Sequence, residues 1–167
     1  SYTKDRAYAF EQRLNKNTNH MFDRRLKEYR EPEANATIPM LVMAPTLVND
    51  GRKMFISPQP VSYLTQNSIR GTISINPLIE SIEFCRFFEK QNAENLRFTS
   101  ALRMNSTFPY IMPLTTLPSD PEIEVFDSGM RDNYGVETTL KFLYTFREWI
   151  NKHTSGVVVI QIRDTHK

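Results

Sequence analysis

The chain has 167 residues, 40% of them hydrophobic, which is enough for one domain with a real core and too short for two comfortable ones. Its 21 basic and 19 acidic side chains leave a net charge of +2 with no long run of one sign, so the charge pattern does not advertise a nucleic-acid partner. A single cysteine excludes an internal disulfide, three scattered histidines give no Cys/His metal-ligand spacing, and no apolar run reaches membrane-spanning length; a reducing, cytoplasmic compartment fits best.

The chain opens with two short helices. Ala7, Phe10 and Leu14 share one face of the first; Phe22, Leu26 and Tyr29 share one face of the second; Asn15 to Asn19 is the break between them. Arg24, Arg25 and Lys27 form the solvated side of the second helix, with contact to a lipid surface as the alternative reading. Ile38 to Ala44 is an almost unbroken apolar run, expected as a strand covered on both faces. Asn49-Asp50-Gly51 is a turn signal, and Lys53 to Ser57 returns as a second strand, so the pair is expected as an antiparallel hairpin ended by Pro58 and Pro60.

Val61 to Ile75 reads as loop. Asn76-Pro77 is a helix start signal, and Leu78, Ile82, Cys85 and Phe88 line one side of the helix expected after it, with Cys85 a small core residue rather than a nucleophile. After a break at Asn92-Ala93-Glu94, a helix over Leu96 to Met104 carries Phe98 and Leu102 on one face, and Phe108-Pro109 stops it. Ile123 to Phe126 clusters β-branched and aromatic residues behind the breaker Pro118-Ser119-Asp120-Pro121, which predicts a short strand. It stops at Asp127, where Asp127-Ser128-Gly129 turns the chain. A helix over Val136 to Asn151 follows, with Leu140, Leu143, Ile150 and Trp149 facing the core and Lys141, Arg147 and Glu148 outside. His153 lies at its C-terminal end, and Val157 to Ile162 reads as a fully apolar closing strand. These elements together predict an α/β fold with a mixed, mainly parallel sheet built from the Ile38, Lys53, Ile123 and Val157 strands, with helices on both sides.

Three segments carry a resemblance. Pro39 to Arg52, then Ser100 to Pro113 with its small residues running into Phe108-Pro109, then Glu122 to Gly135 with Asp127-Ser128-Gly129, follow one another in an order that resembles the patatin-like phospholipase family of lipid acyl hydrolases. The resemblance implies that residues 1–167 form one domain-level unit, the C-terminal part of a patatin-like α/β/α domain. It also implies that Asp127 is the general base of a Ser-Asp dyad acting on a lipid or acyl ester, with no metal or other cofactor. Phe108 and Asn133 are the cleft candidates that go with it. Ser128 stands where the family has glycine after the aspartate, and the Gly-x-Ser-x-Gly elbow is missing, since among Gly51, Gly71, Gly129, Gly135 and Gly156 no two are four apart. The expected partner is therefore the missing N-terminal portion of the domain or a second copy of the chain, at a site that is cytoplasmic or peripheral at a membrane surface. Two further readings stay open: a decayed patatin-like module that binds lipid or protein, and an α/β-hydrolase using Asp127 with His153. The same glycine spacing offers neither a dinucleotide fingerprint nor a P-loop.

Overall fold

A computed structural model describes residues 4–65, 80–108 and 110–163. Short polar turns build its sheet. After β1 (Thr46–Leu47), Asp50 accepts the Arg52 amide through Oδ1 at 3.0 Å, and Gly51 takes a positive φ of 74° that a side chain would strain. The chain therefore returns directly as β2 (Lys53–Phe55), antiparallel to β1 as expected. On its other edge β1 pairs antiparallel with β5 (Ile123–Phe126), which pairs antiparallel with β4 (Thr115–Leu117); β2 pairs in parallel with β3 (Ser81–Glu83). The order is β3-β2-β1-β5-β4.

An α/β chain with a mixed sheet is what the sequence predicted, but the balance of directions differs. Three of the four pairings among the described residues are antiparallel. The cause is the length of the connections: turns as short as those joining β1 to β2 and β4 to β5 can only produce antiparallel neighbours, whereas a parallel pair needs a long crossover. Val157 to Ile162 is no strand either. It lies exposed, without regular structure, and pairs with none of the described strands. Ile38 to Ala44 also falls short of a strand, with one antiparallel bridge from Met43 to Ile56. Pro45 has no N–H to continue the ladder, and regular pairing starts only at Thr46.

The main core lies on one face of the sheet. Met54 and Ile56 alternate onto that face, where Leu26 of α2 (Leu26–Ala34) and Phe98, Ala101 and Met104 of α4 (Phe98–Ser106) cover them. Phe98 packs between Phe22 and Tyr29, with ring centroids 5.4 and 4.7 Å away. Phe55 points to the opposite face, into a smaller cluster with Val61 and Leu64, the latter in a 3₁₀ turn at Ser62–Thr65. α1 (Arg6–Asn17) is capped by Asp5, whose Oδ1 accepts the Tyr8 amide at 2.9 Å. Its buried face is Ala7, Glu11 and Asn15 rather than Ala7, Phe10 and Leu14, because Arg103 of α4 draws Glu11 inward to 3.3 Å.

Asn76, Pro77 and Leu78 lie outside the described residues. Ile82 belongs to β3, and α3 (Phe84–Phe87) begins only after it; the ladder to β2 overrides the helical spacing read from the sequence. A turn of helix, α5 (Gly129–Asp132), leads from β5 to α6 (Val136–Thr145), and Phe146 separates α6 from α7 (Arg147–His153). Here the expected orientation is reversed. Lys141 is buried while Leu140 and Trp149 face solvent, because Lys141 finds Glu80 at 3.7 Å and Glu137 at 3.3 Å on the inner side. No helix among the described residues is long and apolar enough to cross a membrane.

Candidate active site

The end of β5 is held from both sides. The Asp127 amide donates to the Thr107 carbonyl at 2.7 Å, and the Asp127 carbonyl accepts from the Thr46 hydroxyl at 3.2 Å. Asp127 thus sits in the turn directly after its strand, partly exposed, as the sequence predicted. Its Oδ1 accepts the Gly129 amide at 2.5 Å, and no hydrogen bond among the described residues reaches Oδ2. Gly129 is the tightest point of the turn: a Cβ there would stand 2.6 Å from Asp127 Oδ1 and 2.8 Å from Asn133 Oδ1. The missing side chain lets Asp127 and Asn133 converge over residue 129.

Beside this turn opens a cleft of about 420 Å³. Asn105, Ser128, Asp132, Asn133 and Thr138 give it a polar side, and Met40, Val42, Leu64 and Phe142 an apolar one. Asn105 ties the two together, accepting the Ala44 amide through Oδ1 at 2.9 Å and the Ser128 amide through its carbonyl at 3.3 Å. Of the residues singled out from the sequence, Asn133 lines the cleft and Asp127 precedes its lining residue Ser128. Phe108 lies outside the lining, half exposed, one residue beyond Thr107. His153 ends α7 with its Nδ1 2.9 Å from the Trp149 carbonyl and its ring stacked on that indole. Burial pushes the Cys85 thiol up to about 11, with the Glu83 carboxylate adding to the effect, which holds it protonated and unreactive at neutral pH.

A second acid was not visible from the sequence. Asp132 accepts the Glu137 amide at 3.2 Å, the Thr138 amide at 2.9 Å and the Thr138 hydroxyl at 2.7 Å, satisfying the first amides of α6. Lys53, from β2, lies 3.6 Å from Asp132 and 3.1 Å from Glu137. Burial acts to raise the Asp132 carboxyl, but the Thr138 hydroxyl and amide, the Glu137 amide and the Lys53 ammonium together hold it below its usual range. Glu137 is held low in the same way, against burial, by Lys53 and Lys141. The one sequence signal for this cluster is an acid a few residues ahead of a strong helix start, with Gly135 at a positive φ between them. Among the described residues no group of three or more acidic, histidine or cysteine side chains is arranged to hold a metal. Compared with protein-family models, with curated proteins and with solved structures, the chain finds no match.

Proposed function

We propose that this chain is the aspartate-bearing part of a lipid acyl hydrolase that works through a Ser-Asp dyad. The observation that carries the reading is the Asp127 turn: a carboxylate at a strand end, fixed through Oδ1 by the Gly129 amide, with no hydrogen bond to Oδ2 among the described residues and a half-apolar cleft next to it. A base so held accepts the proton of a serine hydroxyl as its oxygen attacks an ester carbonyl, and returns that proton to the leaving alcohol. Met40, Val42, Leu64 and Phe142 suit the acyl chain. Asp132 is the weaker candidate for the base, because both its oxygens are engaged and it is held ionised.

The serine and its oxyanion donors belong to a separate segment in this reading. The outward apolar residues of α6, α7 and the closing segment, among them Leu140, Trp149 and Ile160, support docking of that segment or of a second copy. Packing of apolar side chains on both faces of the sheet supports the three-layer patatin-like arrangement, and a cytoplasmic protein peripheral to a membrane fits the substrate class. The chain alone is expected to resist a fluorophosphonate serine probe; stoichiometric labelling would mean that a serine within these residues is activated and that the divided site is wrong. A decayed module that binds lipid without cleaving it is the second reading, favoured by Ser128 in place of the family's glycine. Ester turnover by the parent enzyme, lost in Asp127→Asn, separates the two.

A further inference from the structure

The face formed by α1 and the loop after α4 is built unlike the rest of the surface. On α1, Arg6, Phe10, Arg13 and Leu14 recur at helical spacing along one side and, with Ile111 and Met112, line a groove of about 430 Å³. Arg6 reaches the Ile111 carbonyl at 3.4 Å, which joins helix to loop. The loop tip is apolar and projects: Phe108 is 51% exposed, Ile111 62% and Tyr110 100%. Tyr110 holds a φ of 70°, a conformation rarely taken by a side-chain-bearing residue, and it turns outward. The exposed charges of α1 and its lead-in are Lys4, Arg6, Arg13 and Lys16, of which Arg6 and Arg13 share the groove with Ile111 and Met112. The acids of the same stretch are engaged elsewhere, Asp5 as the helix cap and Glu11 buried against Arg103.

We infer that this face seats the protein on an anionic phospholipid surface, with Phe108, Tyr110 and Ile111 entering the interfacial layer and Arg6 and Arg13 meeting lipid headgroups. Two features favour a bilayer over an acidic protein partner. Phe108 and Tyr110 stand exposed outside the groove lining, and a tyrosine, apolar in its ring and polar at its end, suits the headgroup level. Arg6 and Arg13 lie beside the loop, where they can meet an anionic leaflet. The surface also adjoins the candidate site, because Thr107, the residue before the tip, holds the Asp127 amide. The inference deepens the acyl-hydrolase reading and rests on it for what the surface would deliver; its test reads vesicle binding rather than hydrolysis, so each can fail without the other.

The test is flotation of the full chain with phosphatidylcholine vesicles, with and without phosphatidylglycerol. The chain should float with the anionic vesicles, less at high salt, and only weakly with phosphatidylcholine alone. Each cation near such a surface contributes about fivefold to partitioning, so Arg6→Gln with Arg13→Gln should weaken binding about 25-fold. Tyr110→Asp with Ile111→Asp should abolish it, while circular dichroism shows the fold retained. Arg24→Gln with Lys27→Gln removes the same charge from α2 and its lead-in and should leave binding unchanged, as should Asp127→Asn. Equal losses from the two cation pairs would reduce the effect to net charge and overturn the inference. So would flotation of the Tyr110 and Ile111 variant like the parent, absence of flotation, or binding to an acidic peptide with none to vesicles.

Discussion

Phe98 and Met104 on α4 are at most 7% exposed, whereas Leu140 on α6 is 55% exposed, Trp149 on α7 58% and Ile160 beyond them 82%. The two regions are written in the same kind of residue at the same helical spacing, yet α4 buries its apolar stripe and α6 turns much of its own outward. What joins α6 to the body is partly aromatic, with Tyr63 edge-on to Phe142 at 6.2 Å, and largely ionic, with Lys53, Asp132, Glu137, Lys141 and Glu80 along the inner side. A periodic pattern marks a face of a helix but not the direction in which that face points. Here the buried Lys53 and Lys141 ammoniums and their carboxylate partners decide it.

The sharpest way to break the contrast is to remove the ionic seam. Lys53→Met leaves Asp132 and part of Glu137 facing inward without their cation, and breaking a buried charge cluster in this way costs about 3–5 kcal/mol, read as a lower urea midpoint. Met104→Ala empties part of the packed core and should cost about 2–4 kcal/mol. Acid comes next. Asp132 and Glu137 both have folded-state values below their ordinary 3.8 and 4.5. Their contribution is therefore fully present above those values and is lost as the pH falls through the lower folded-state ones, so unfolding followed by circular dichroism should begin below about pH 4.5 and be blunted in Asp132→Asn. At the small end, Leu140→Ser should change stability by no more than about 0.5 kcal/mol, since more than half of that residue's surface is exposed. A loss comparable to that of Met104→Ala would mean that the outer face of α6 is packed in solution.

The same contrast separates what was legible in the sequence from what was not. Ile123–Phe126 as a strand, Asp127 in the turn after it and the antiparallel return at Asn49 to Lys53 were all legible, because turn chemistry and β-branched clustering are local. The parallel bias was misread because a fully apolar run such as Val157 to Ile162 resembles a buried strand whether or not a neighbour exists to pair with it. Trp149 was assigned to a core from periodicity alone. Asp132 escaped notice for a different reason: its partner Lys53 comes from a strand far away in sequence, and the Lys141 that draws α6 inward looked like one more exposed charge. Gly129 was read as a turn former, but its importance lies in the oxygens of Asp127 and Asn133 that crowd its missing side chain.

In the proposed dyad Asp127, and not the nearby Asp132, is the proton acceptor. Turnover of a chromogenic ester by the parent enzyme should be compared between Asp127→Asn and Asp132→Asn, with the fold of each followed by thermal unfolding. Asp127→Asn should keep its melting temperature and lose turnover by a factor of about 10³ or more, because the amide holds the shape of the carboxylate but cannot take a proton. Asp132→Asn should melt earlier and keep measurable turnover, as expected of a group that anchors α6. Near-normal turnover in Asp127→Asn, with activity lost instead in a well-folded Asp132→Asn, would contradict the assignment of the base to Asp127.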